Sequence, residues 1–142
     1  MITQILSEKD EICGVIDWTG CCVHPAVWEL MRFYVYACPN CADAEISIED
    51  FTEYVKAYLG RAVLTQYDLE NMGKLFFYFT AVSDFYGQYY DSMAANRKIF
   101  LEQALLSSKL LRWFDLNIDR LTDRLTALGK RLAHSVKIGL RQ

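Results

Sequence analysis

The residues best placed to do chemistry lie early in the chain. Asp17 closes the run Ile12-Cys13-Gly14-Val15-Ile16, a short apolar, partly β-branched stretch that reads as a strand. A carboxylate at a strand end is held rigidly, and the loop after it leaves room for a ligand, so the position suits a cation. It equally suits an Asp that bonds the backbone of its own loop. Cys13, Cys21, Cys22, Cys38 and Cys41, with His24 nearby, form a second candidate. Cys38-x-x-Cys41 has zinc-ligand spacing, and Cys21 or Cys22 with His24 would complete a tetrahedral set. No second Cys-x-x-Cys accompanies it, which weighs against structural zinc. An odd cysteine count argues against a disulfide framework, and a pair that follows a helix does not suit a thioredoxin-like role. Free thiols are the reading left. Asp84 and Asp91 form a third candidate, in an aromatic stretch with Phe85, Tyr86, Tyr89 and Tyr90. Seven residues apart on a helix, they share a face and could bind a cationic or hydroxylated substrate. A core helix with two solvated acids explains them as well. His24 and His134 lack a partnered nucleophile, so no hydrolase triad is visible.

These side chains need elements to hold them. Ile5-Leu6 fits the partner strand of a hairpin, across a polar turn at residues 7–11. Pro25 suits the first turn of a helix carrying Trp28, Met31, Arg32 and Val35, which ends near Cys38-Pro39 because proline cannot continue the ladder. Ser47 with Asp50 caps a helix whose stripe is Phe51, Tyr54, Val55, Tyr58 and Leu59, stopped by Gly60. Thr65 with Asp68 repeats the cap and opens a longer helix through Tyr90. A last helical stretch begins near Ala94. Its Leu111, Phe114, Ile118, Leu121, Leu125, Leu128 and Leu132 recur in alternating steps of three and four, a heptad-like seam. Arg124 and Arg131 have no acidic mates at matching positions, so packing on its own domain comes first and a homodimer second. The expected fold class is mainly α: a short β-hairpin followed by a helical bundle.

At 142 residues the chain is the size of one domain, and 53% hydrophobic content excludes disorder. Its greasiest window, residues 75–82, is far short of the ~20 apolar residues a membrane span needs. Glu8, Lys9, Asp10 and Glu11 arrive where a signal peptide would be apolar, so a cytoplasmic location is expected. Residues 1–91 carry 14 acids against 5 bases, and residues 92–142 carry 4 acids against 10 bases. The acidic part would repel phosphates, which speaks against broad nucleic-acid binding. The basic amphipathic C-terminal part leaves a membrane-surface or nucleic-acid contact as a minor reading.

The segment from Glu11 to Trp18, followed by Gly20, Pro25 and Glu29-Leu30, resembles the aminoglycoside phosphotransferase-like kinase family, which includes choline and homoserine kinases. The resemblance covers about residues 4–115, with 116–142 as an amphipathic basic helix or tail. It implies the C-lobe of a protein kinase-like fold. By this resemblance Asp17 is the Mg²⁺ ligand that corresponds to the protein-kinase DFG aspartate, and Mg²⁺ and ATP are the cofactors of the complete enzyme. Gln4 falls where the family carries a metal-binding Asn, and Glu29 sits near the family's helix acid. The family's catalytic Asp would lie two positions upstream of Met1, and the nucleotide-clamping lobe is not in this chain. The implied function is the substrate-side lobe of an ATP-dependent O-phosphotransferase acting on a small hydroxylated substrate, inactive as the isolated chain. The alternative is a non-catalytic helical interaction or dimerisation domain.

Overall fold

The computed structural model describes residues 5–8, 11–15, 24–91 and 95–139. Strands β1 (Ile5–Glu8) and β2 (Glu11–Val15) pair antiparallel, Ile5 opposite Val15 and Glu8 opposite Glu11, with an irregularity between Leu6 and Ser7. Helix α1 spans Ala26–Ala37 directly after Pro25, whose missing N–H would have had no helical partner. Pro39 stops the ladder. The Cys38 N–H still reaches Tyr34 O at 2.9 Å, and the chain then winds into a short 3-10 helix over Pro39–Asp43. That turn ends at Ala44, held in the left-handed region at φ 62°, which a residue with a Cβ rarely adopts.

Two caps open the next helices. In α2 (Ile48–Leu59) the Ser47 Oγ accepts the Asp50 N–H at 3.1 Å, and Glu49 and Asp50 place negative charge on the positive end of the helix. In α3 (Gln66–Ala81) Thr65 and Asp68 form a reciprocal box, Asp68 N–H to Thr65 Oγ1 at 3.1 Å and Thr65 N–H to Asp68 Oδ2 at 2.8 Å. The sequence reading carries this helix through Tyr90. The structure ends it at Ala81 and resumes after Asp84 as α4 (Phe85–Tyr90). Side-chain hydroxyls take over carbonyls of the last turn, Thr80 Oγ1 donating to Phe76 O at 2.8 Å and Ser83 Oγ to Thr80 O at 2.7 Å. Such bonds offer the backbone an alternative to the helix.

Helix α5 runs over Arg97–Gly139, 43 residues, and is unbroken across residues 115 and 116, where the sequence reading divides the chain. At 1.5 Å per residue it is about 65 Å long, the spine against which α2, α3 and α4 lean. The core is built around Met31, Phe51, Val55, Met72, Leu110, Phe114, Leu121 and Leu125, all essentially inaccessible to water. Gly73 lets α3 and α5 approach closely, since a Cβ there would sit 3.0 Å from Leu121 Cδ2. The heptad-like seam is therefore filled from within the same chain: Phe114, Leu121, Leu125 and Leu128 are buried, and Leu132 packs against them. A homodimer cannot use those residues without opening the fold. Among the described residues no helix is long and apolar enough to cross a membrane.

Candidate functional site

Helix α1 carries a stripe of π systems and one cation. His24 just before it, then Trp28, Arg32 and Tyr36, recur every four residues and so share one side of the helix. The His24 and Trp28 rings lie 4.7 Å apart, and Phe79 of α3 meets both edge-on at 5.5 and 5.6 Å. The Arg32 guanidinium lies over the Trp28 ring at 5.3 Å and pairs with Glu29 at 3.1 Å. Both partners of that ion pair are about half exposed, so it contributes little to stability but fixes the guanidinium over the ring.

Trp28, Arg32 and Tyr36 of this stripe line one side of a cleft of about 270 Å³. The opposite wall comes from Phe76, Phe79 and Phe85, with Ser107 of α5 between them. The walls are mostly apolar, and Arg32 supplies the charge. Thr80 and Ser83 also line the cleft, though their hydroxyl protons are given to backbone carbonyls. Burial raises the Tyr36 phenol above its ordinary range, an effect that Arg32 opposes. Tyr36 therefore stays a neutral hydroxyl able to donate. Aromatic walls with a fixed cation and a neutral phenol suit a small ligand with a flat or hydroxylated body. A second, wider hollow of about 450 Å³ opens between Pro25 and Val27 on one side and Tyr67, Asn71, Lys74 and Tyr78 of α3 on the other.

The sequence candidates fare differently. Asp17 and Gln4 lie outside the described residues, as do Cys21 and Cys22. Glu29, near the helix acid of the resembled family, is taken up by Arg32. Asp84 and Asp91 flank the short helix α4, one at each end. The Asp84 carbonyl accepts the Gln88 N–H at 3.0 Å, and the Asp91 N–H donates to Gly87 O at 3.0 Å. Both residues are exposed. Asp84 folds over Gly87, so a Cβ at that glycine would collide with its carboxylate.

Cys38 and Cys41 do come together. The Cys41 N–H donates to Cys38 O at 3.0 Å, with Cys41 buried and Cys38 half-buried. Burial, reinforced by the adjacent Cys38, pushes the Cys41 thiol up to about 12. Among the described residues no group of three or more His, Cys, Asp or Glu side chains is arranged to hold a metal ion. The residues that sequence reasoning passed over are Arg32, Trp28 and Tyr36. Their four-residue spacing is legible, but Trp28 and Arg32 read as part of a generic buried helix. Searches against family models, curated proteins and solved structures find no match for this chain.

Proposed function

We propose that this chain is the C-terminal, substrate-side lobe of an ATP-dependent small-molecule O-phosphotransferase similar to the aminoglycoside phosphotransferase-like kinases. The observation that carries the reading is the Ile16-Asp17-Trp18 motif with Pro25 and Glu29-Leu30 downstream. The antiparallel hairpin immediately before that motif and the helix that opens after Pro25 support it, since the resemblance implies this order of elements. Asp17 offers a carboxylate and Gln4 an amide carbonyl, both hard oxygen donors of the kind Mg²⁺ takes beside phosphate and water. When bound, magnesium ATP supplies the phosphoryl group, and the metal neutralises its developing charge.

The chain's own share is positioning. Asp17 would hold the metal, and the cleft lined by Trp28, Phe79 and Phe85 would receive the acceptor, with Arg32 and Tyr36 to orient its polar groups. Phosphoryl transfer is mostly a matter of placement and charge, so a lobe without the nucleotide clamp and catalytic Asp is inactive alone. An enzyme that consumes ATP belongs where ATP is made available, and we assign it to the cytoplasm. The alternative is a non-catalytic helical interaction or dimerisation domain, and the α5 seam residues Phe114, Leu121, Leu125 and Leu128 pack within the chain's own core.

The test is ADP release by the protein expressed from a reading frame extended upstream of the Met1 codon, with a panel of hydroxylated small molecules as acceptors. Asp17→Ala is expected to lower acceptor-dependent turnover by roughly 10²-fold or more, the scale of removing one preorganised electrostatic group. Equal turnover in the variant, or no acceptor-dependent ADP release by the parent protein, would overturn the assignment.

A further inference from the structure

The turn Cys38-Pro39-Asn40-Cys41 has no part in the phosphotransferase reading. Cys38 closes α1 through its backbone N–H, and its carbonyl accepts the Cys41 N–H at 3.0 Å. That bond closes a four-residue turn, in which the first and last Cα atoms lie within ~7 Å. In 3-10 winding the side chains at i and i+3 come into register, and disulfides span Cα separations of about 4.4–6.8 Å. The side chains are neighbours: beyond burial, Cys38 helps hold the Cys41 thiol up, and both cysteines help hold the Tyr34 phenol up. Both cysteines are free, and their burial is unequal, with Cys41 1% exposed and Cys38 open on one side.

We propose that Cys38 and Cys41 form a reversible dithiol–disulfide site that reacts with small-molecule disulfides. The half-buried Cys38 meets the reagent first. Its thiolate attacks one sulfur of the external disulfide, a mixed disulfide forms, and the expelled thiolate takes up a proton. Cys41 then gives up its proton, attacks Cys38 Sγ and expels the second thiol. Two protein thiols are oxidised and one external disulfide is reduced to two thiols, so the exchange balances without another reactant. The bond ties the last turn of α1 to the 3-10 helix. It thereby fixes Tyr34, whose ring packs 5.0 Å from Phe51 and 5.4 Å from Tyr54 in the core.

The native sequence suits a direct test, because the tryptic peptide over residues 33–56 contains Cys38 and Cys41 and no other cysteine. The folded chain is incubated with oxidised glutathione, free thiols are alkylated, and the digest is weighed. The expected peptide resists alkylation and is lighter by two hydrogen atoms, and dithiothreitol restores both thiols. Its rate of formation rises with pH, by up to about tenfold per unit while the thiol remains mostly protonated. Cys41→Ser is expected to stop at a glutathione adduct on Cys38. Double alkylation after oxidation, a stable glutathione adduct in the unmodified sequence, or a cross-link to the peptide over residues 10–32 would each overturn the proposal.

Discussion

The packing of Gly73 against Leu121 makes a demanding quantitative prediction. A methyl group at position 73 would lie 3.0 Å from Leu121 Cδ2 and 3.7 Å from Phe114 Cε1, and both neighbours are fully buried. Gly73→Ala gains about 1 kcal/mol of helix propensity but overpacks the α3–α5 contact, which costs about 1–3 kcal/mol. The net expectation is a loss of about 1 kcal/mol. Leu121→Ala empties a wholly buried site, a change that costs about 2–5 kcal/mol in cores. No side chain at position 73 can relax into the space, so the upper half of that range, about 4 kcal/mol, is expected. In the double variant the new methyl enters the space that Leu121 left. Gly73→Ala should then stabilise by about 1 kcal/mol, which gives a coupling of about 2 kcal/mol between the two sites. Urea unfolding followed by far-ultraviolet circular dichroism measures all four proteins. Its midpoint should not depend on protein concentration, since the seam is filled within one chain. Coupling within about 0.5 kcal/mol of zero would refute the contact. A concentration-dependent midpoint would refute the intramolecular seam.

Two further outcomes follow from the caps and the buried thiol. Thr65→Ala removes the acceptor for the Asp68 N–H and should cost about 1 kcal/mol in urea unfolding, with Thr65→Ser restoring most of the loss. Cys41 has a thiol raised by burial to about 12 from an ordinary 9.0, so the unfolded chain releases this proton first. The stabilising contribution is complete below pH 9 and is lost as pH climbs from there toward 12. The urea midpoint should therefore fall across that window, and fall less steeply in Cys41→Ala. A slope remains in the variant because Tyr34, Tyr36 and Tyr54 are also raised by burial.

What the sequence discloses is mostly local. Pro25, the Ser47–Asp50 cap and the Thr65–Asp68 box each carry their own stereochemistry within four residues, and each marks a helix start in the structure. The hairpin is legible for the same reason, as a polar turn between apolar runs. The break after Ala81 is not, because Thr80 and Ser83 look like ordinary helix residues until their hydroxyls claim carbonyls of the preceding turn. The seam of α5 is readable as a period, but a period does not say which surface fills it. The answer sits in Gly73, about fifty residues earlier in the chain. The cleft shows the same division. Trp28, Arg32 and Tyr36 are spaced for one face of α1, whereas Phe79, Phe85 and Ser107 reach the opposite wall only through tertiary packing. Asp17 stands on its motif alone, with a strand before it and a helix after it.

The central claim is that Asp17 holds the metal of a nucleotide complex. Calorimetric titration of magnesium ATP into the upstream-extended protein and its Asp17→Ala variant tests this most directly. The account predicts magnesium-dependent ATP binding that weakens by about tenfold or more in the variant, equivalent to about 1.4 kcal/mol. ATP binding of equal strength in the two proteins, or no binding by either, would contradict it.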